Sequence, residues 1–451
     1  MKSINPYNNK LIKNYNNHTS DNILNIIDNS HKDFLLWREI NLKNRIKLIR
    51  KISKTLEKDV NKHAQMITME MGKPIKESKD EILKCIWMID YYCKNSENFL
   101  KKEYIKTDYS KSYITFEPLG IIFGIMPWNF PYWQVFRFII PTLLAGNTCV
   151  IKHAPNVTGC AMLIESLFNN INDFKNLFKI IIVEEEKVEM LIANKNIKAI
   201  SLTGSDKAGS AVAMLSGKAL KKNLLELGGS DPFIVLNDAD LKKAAKKAIL
   251  ARFFNSGQSC IAAKRFLVHA DVYDEFVAII LKYIKGLKIG NPVNEDVQIG
   301  PLAKKEFAST IDKLVKNSIA KGAKCIIGGK YNNAFYEPTL LIDVNETMDV
   351  FKHEIFGPVM SVCKIHSKNE AIKIANQSEY GLGASIWTKN IDKAKNIASF
   401  LESGSVFINE MTKSDPRLPF GGVKKSGYGH ELSKYGIKEF VNFKTIVINE
   451  N

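Results

Sequence analysis

The 451-residue sequence predicts an α/β fold built on two parallel sheets. Three observations lead there. An apolar run at Ile121–Met126 passes through a proline-flanked turn into a helical stretch carrying Trp133, Phe136 and Ile140, and a second apolar run follows at Thr148–Lys152. Strand, helix and strand in that order imply parallel pairing. A second such unit starts at Ile197–Leu202, turns at Thr203–Gly209 and continues as a helix to about Lys218. The pattern then restarts after Gly228, in a chain too long for one ordinary core.

The remaining elements follow from periodicity. From Asn22 to about Lys102 the apolar spacing is helical, as in Leu42, Ile46, Ile49 and Leu56, which predicts helices on the outside of a domain. Tyr104 to Glu117 alternates polar and apolar residues and reads as an extended ribbon. Beyond Gly228–Gly229, near a hinge, Pro232–Leu236 is a strand, Asp238 or Asp240 caps a lysine-rich helix, and further units run to about Gly404. Lys438–Ile448 alternates like an edge strand, which a subunit interface would protect.

Composition narrows the class. A hydrophobic content of 45% is that of a globular chain. Residues 1–22 lack the apolar core of a signal peptide, and no apolar run approaches the roughly 20 residues that span a bilayer. A soluble, cytoplasmic protein is expected. Seven cysteines form no paired or metal-ligand spacing, so a reduced compartment and no structural metal are expected. The net charge of +17 could serve nucleic acid, but its lysines are spread over helix faces such as Leu241–Ala248 rather than gathered with aromatics. Solvated faces are the simpler reading, with neither nucleic acid nor membrane as a partner.

One cysteine stands out. Cys260 follows Ser256-Gly257-Gln258-Ser259 and precedes Lys264 and Arg265. Small and amide neighbours leave backbone N–H groups free, and a helix starting here would favour the thiolate. A lone cysteine is ordinarily a small buried hydrophobe, but other motifs accompany it. Glu226 interrupts the apolar Leu224–Leu227 run before two glycines, where burial without purpose would be costly. Asn129 sits on the turn Pro127-Trp128-Asn129-Phe130-Pro131, and Glu354-Ile355-Phe356-Gly357-Pro358 and Pro419–Gly427 lie downstream.

With these motifs in order, the chain resembles the aldehyde dehydrogenase superfamily from about Asn5 to Val447. The resemblance implies a Rossmann-like cofactor domain at 1–103 and 119–227, a second α/β catalytic domain at 228–430, and a small β oligomerisation ribbon from 104–118 and 431–451. It implies oxidation of an aldehyde with NAD or NADP in a homodimer or homotetramer. Cys260 would be the nucleophile, Asn129 with the Cys260 N–H the oxyanion donors, and Glu226 the base for thioester hydrolysis. Trp128, Lys152, Gly204, Ser205, Glu354 and Phe356 would hold the cofactor. Gly204-Ser205 is not G-x-G-x-x-G, yet a glycine turn entering a helix still offers N–H groups to a pyrophosphate. Many NAD-preferring members carry a glutamate where this chain has Pro155; without that carboxylate a 2′-phosphate is tolerable, with His153 and Lys152 available to help.

Lys152–Asn156 and Gly422–Gly429 most resemble bacterial succinate-semialdehyde dehydrogenases. That resemblance implies a guanidinium at Arg137 to anchor a substrate carboxylate. A second arginine of that group is Phe254 here, with Ser414 or Arg417 as substitutes. Three alternatives stand beside this: an aldehyde dehydrogenase for another short aldehyde, a CoA-acylating enzyme, which would need no base at Glu226, and a non-enzymatic binding protein.

Overall fold

The computed structural model describes residues 1–169 and 174–450 and is organised on two large sheets and a three-stranded ribbon. The first large sheet has six strands in the order 427–428, 222–226, 197–203, 121–126, 148–153 and 178–180. All neighbours are parallel except Gly427–Tyr428, which adds antiparallel to Lys222–Glu226. Every residue of Thr148–His153 is buried, which is why the strand reads as a continuous run rather than an alternation. The strand order reverses beside Ile121–Met126: the chain winds to Phe178–Ile180 on one side and returns as Ile197–Thr203 on the other. The carboxyl ends of the two adjoining strands therefore open a crevice, the place where such sheets bind ligands.

The second sheet has seven strands, 324–327, 339–342, 359–365, 263–269, 231–235, 383–387 and 405–408, parallel except for the first pair. The lysine-rich helix Leu241–Phe253 covers it, burying Ala244, Ala245 and Ala248 while Lys242, Lys243 and Lys246 face water. Asp240 is its cap, accepting from the Lys243 N–H at 3.1 Å. Asp238 instead accepts from the Thr388 hydroxyl and the backbone of Lys389 and Asn390.

The ribbon joins distant parts of the chain. Lys111–Pro118 pairs antiparallel with Val441–Ile448 over eight residues, and Glu103–Tyr104 flanks it. The other edge of Val441–Ile448 has no strand neighbour among the described residues, and Phe443 and Val447 are exposed there.

The helical stretch expected from Asn22 to Lys102 is four helices, Ser20–Trp37, Leu42–Lys58, Val60–Met71 and Ile75–Phe99. The second buries Ile46, Ile49, Ile52 and Leu56, the helical spacing read from the sequence. Ile75–Phe99 packs on Trp133–Leu144, a helix buried at every position. That contact makes it a wall of the site and not merely an outer layer. An antiparallel pair at Lys2–Ile4 and Leu11–Asn14 was not anticipated. No helix among the described residues is long and apolar enough to cross a membrane.

Candidate active site

The turn that presents Cys260 is held from several sides. After helix Leu241–Phe253, Asn255, Ser256 and Gly257 take left-handed φ values of 54, 52 and 75°. Asn and Gly tolerate this conformation, and Ser256 is fixed by its hydroxyl, which donates to the Gly300 carbonyl at 3.0 Å and accepts from the Gly300 N–H at 3.1 Å. A Cβ at Gly257 would stand 2.3 Å from the Gly357 oxygen. The fully buried Arg252 guanidinium donates to the carbonyls of Gly257, Ile355, Gly357 and Ala263. Arg252 thus ties the Cys260 turn to the Glu354–Pro358 segment.

No helix starts at Cys260, so the expected helix-terminus activation is absent. The residue lies in a turn before strand Ala263–His269. Lys264 donates to the Ser259 and Cys260 carbonyls at 3.0 and 2.7 Å and pairs with Glu354 at 3.2 Å. Arg265 points away, to the carbonyls of Ser230, Ile374 and Ala375. Burial pushes the Cys260 thiol up to about 12; Arg137 and Lys264 favour its anion, Glu354 and Glu226 oppose it.

Glu226 ends strand Lys222–Glu226, 2% exposed, and neither carboxylate oxygen has a hydrogen-bond partner among the described residues. Burial holds it well above the ordinary carboxylate range, with Arg137 opposing the shift and Glu431 and Glu439 adding to it. The Asn129 side-chain N–H₂ donates to the Gln258 carbonyl at 3.1 Å, and Asn255 donates to the Asn129 carbonyl at 2.9 Å. The Cys260 N–H makes no hydrogen bond with the described residues.

A cleft of about 200 Å³ opens from Cys260 toward the crevice of the first sheet, lined by Trp128, Asn129, Gly204, Ser205, Glu354 and Phe356 among others. Trp128 meets Phe356 edge-on at 5.5 Å. Ser205 caps helix Asp206–Lys218, accepting from the Ala208 N–H at 3.2 Å, and a Cβ at Gly204 would meet only Leu202, at 3.5 Å. Glu354 is no free surface carboxylate: it accepts from the Gly229 N–H at 3.1 Å and packs where a Cβ at Gly228 would stand 2.5 Å from it. Lys152, 7% exposed, makes neither an ion pair nor a hydrogen bond with the described residues. The buried Thr203 hydroxyl is likewise without a partner. An open glycine turn, a capped helix start, aromatic walls and unpartnered polar groups fit a nicotinamide dinucleotide. His153 does not help in the way expected. Its Nδ1 accepts from the Ala154 N–H at 2.8 Å and its Nε2 meets the Pro131 carbonyl at 2.9 Å, while burial lowers its pKa to about 4, so it is neutral and fully engaged.

A second cavity, of about 220 Å³, also reaches Cys260. Phe130, Trp133, Phe254 and Phe420 make apolar walls, with Lys84, Arg137, Lys413, Asp80, Glu81 and Ser414 among the polar groups. Phe254 stacks on Phe130 at 6.0 Å and offers no donor. Arg137 reaches this cavity as expected, but it forms a buried ion pair with Glu431, a residue sequence reasoning missed, and its guanidinium lies 4.8 Å over the Phe420 ring. Arg417, offered as a substitute anchor, is not in the cavity: it is mostly exposed and forked on Asp415 at 2.9 and 2.6 Å. Lys84 was missed as well. On a helix read as an outer layer, nothing distinguished it from a solvated lysine.

A cysteine thus lines both a cleft at the crevice of the first sheet and an aromatic cavity, and the sequence pattern of the aldehyde dehydrogenase family matches residues 1–446. The chain belongs to that family. It is 42% identical over 451 residues to a probable NADP-dependent succinate-semialdehyde dehydrogenase of Synechocystis, covering 99% of each chain. It is 41% identical over 430 residues to an NAD(P)-dependent succinate semialdehyde dehydrogenase of Escherichia coli, covering 95% of this chain and 93% of the other. The crystal structure of succinic semialdehyde dehydrogenase from Streptococcus pyogenes with NADP+ superposes with a TM-score of 0.97 at 34% identity, covering both chains fully.

Proposed function

We propose that this chain oxidises a short aldehyde with a distal carboxylate, succinic semialdehyde first and glutaric semialdehyde next, to the dicarboxylic acid, with NADP or NAD as electron acceptor. One observation carries the reading: Cys260 lines both cavities, one shaped for a dinucleotide and one with cations set among aromatic walls. The curated relatives are named for the same substrate.

The residues perform the steps as follows. Cys260 releases its proton to solvent water, and its sulfur bonds to the aldehyde carbon, opening the carbonyl to an oxyanion. The Asn129 amide and the Cys260 N–H donate to that oxygen. A dinucleotide held by Lys152, Gly204, Ser205, Trp128, Glu354 and Phe356 would supply the two-electron acceptor for the carbon's hydrogen, which would leave a thioester on Cys260. Glu226 then takes a proton from water, whose oxygen adds to the thioester carbon; the C–S bond breaks and the acid leaves. Burial suits Glu226 to this role, because a carboxyl held above the ordinary range is, once ionised, a stronger base than an exposed one. A CoA-acylating enzyme would need no such base. Lys152, Gly204, Ser205, Trp128, Glu354 and Phe356 are the cofactor contacts in this account. Residues 1–103 and 119–227 form the cofactor domain, 228–430 the catalytic domain, and 104–118 with 431–451 the oligomer contact. The bare edge of Val441–Ile448 supports that last assignment, in a homodimer or homotetramer. A cytoplasmic location is supported by cysteines without paired spacing.

The test is steady-state kinetics of the wild type, followed by NAD(P)H absorbance, on succinic semialdehyde, glutaric semialdehyde and butyraldehyde with each dinucleotide. A higher kcat/KM for the carboxylated aldehydes supports the reading. Equal or better use of butyraldehyde overturns it.

A further inference from the structure

Lys84 projects from helix Ile75–Phe99 into the aldehyde cavity, its ammonium 4.2 Å from the Trp133 ring centroid. It donates to the Ser414 hydroxyl at 2.7 Å and has no carboxylate partner among the described residues. The two carboxylates whose charge acts on it are occupied, and Asp80, one turn earlier and also lining the cavity, makes no ion pair with it. Glu81 pairs with Lys73 and caps helix Trp133–Leu144, accepting from the Tyr132 and Trp133 N–H groups at 2.8 and 2.9 Å. Asp415 is forked by Arg417. Of the other cations that line the cavity, Arg137 is paired with the buried Glu431 and Lys413 with Glu410 at 3.6 Å.

We propose that Lys84, with Ser414 as its hydroxyl partner, is the subsite that takes the distal carboxylate of the substrate, and that Arg137 is not the principal anchor. The inference rests on the carboxylated-aldehyde reading above. Its chemistry is specific. A cation among aromatic rings with no compensating anion is costly to bury, and an incoming carboxylate supplies that anion. An ammonium has three N–H donors, of which Ser414 uses one. A hydroxyl that accepts from an ammonium keeps its own proton to donate, so one carboxylate can meet the Lys84 N–H and the Ser414 O–H together. Burial lowers the Lys84 pKa to about 8, consistent with a site that lacks its counter-ion. Phe254 and Phe130 complete an apolar sleeve for the carbon chain between this pair and Cys260.

The experiment compares wild type, Lys84→Met, Lys84→Arg and Ser414→Ala on succinic semialdehyde and on butyraldehyde, an uncharged aldehyde with the same number of carbons, and measures inhibition by succinate. Lys84→Met should lower kcat/KM for succinic semialdehyde by roughly thirty-fold or more, on the scale of a lost charge-assisted contact in a desolvated pocket, and lower it far less for butyraldehyde. Succinate inhibition should weaken in parallel. Lys84→Arg should restore most of the preference and Ser414→Ala lose part of it. If Lys84→Met retains the wild-type preference and succinate affinity, or if both aldehydes and both Lys84 variants fall together, the subsite is refuted while the substrate reading stands. A wild type without preference for the carboxylated aldehyde refutes the substrate reading and this inference with it.

Discussion

Replacing Arg137 with methionine keeps most of the side chain's length and removes its charge from a place where nothing else compensates Glu431. In the pair the two side chains are 2% and 4% exposed, and neither Glu431 oxygen has a geometrically good hydrogen bond among the described residues. Removing one partner of such a pair costs about 3–5 kcal/mol, because the survivor is left charged and dry. Glu431 can escape by taking a proton. Burial already raises its pKa, Arg137 restrains the rise, and Glu439 adds to it. A carboxyl whose folded pKa lies above its unfolded value destabilises the fold progressively as pH climbs from the ordinary carboxylate range to the raised value. Loss of Arg137 widens that window upward. The stability deficit of Arg137→Met should therefore be small in acid and largest at neutral pH and above, and a second substitution, Glu431→Gln, should relieve it. Denaturation midpoints of wild type, single and double variants across pH read this directly. Because Arg137 also favours the anions of Cys260 and Glu226, activity should fall on charged and uncharged aldehydes alike. A variant as stable as wild type, a deficit that ignores pH, or no relief from Glu431→Gln would refute the reasoning.

Cys260→Ala should abolish dehydrogenase activity while NADP binding stays measurable by fluorescence or calorimetry, since the cleft is built from other residues; substantial turnover would contradict the nucleophile assignment. The wild type should reduce both NAD and NADP, and Pro155→Glu should weaken NADP selectively by repelling its 2′-phosphate; an unchanged ratio of the two kcat/KM values would show that this position does not select. The kcat/KM for succinic semialdehyde, divided by that for butyraldehyde, should fall as pH rises through about 8, where Lys84 loses its charge. The titratable groups facing it are Arg137, which lowers its pKa, and Cys85, Glu81 and Asp415, which raise it. A ratio that is flat across this range would exclude the ammonium from recognition.

Much of the site was legible in the sequence because its parts carry local signatures. Glycines at 228, 229 and 257 mark close approaches and Gly204 an open turn into a helix, and a carboxylate within an apolar run marked Glu226. The parallel sheets followed from the periodicity of Ile121–Lys152 and Ile197–Lys218. The missed residues act only through tertiary contact. Lys84 reads as a surface lysine until helix Ile75–Phe99 lays it beside Trp133, and Glu431 lies far along the chain from Arg137. Arg252 resembles a helix-terminal arginine until its four carbonyl contacts appear. The helix expected at Cys260 failed for a physical reason: three consecutive left-handed residues turn the chain toward a strand. Arg417 was misplaced because Asp415, two residues earlier, captures it locally.

The most direct measurement is the intact mass and peptide map of Glu226→Gln after mixing with succinic semialdehyde and NADP and quenching in acid. The account requires acylation to outrun deacylation, so a burst of NADPH should be followed by slow turnover, with one succinyl group recovered on the peptide that carries Cys260. No burst and no adduct, or an adduct on another residue, would contradict the assignment of Cys260 as nucleophile and Glu226 as the base that frees it.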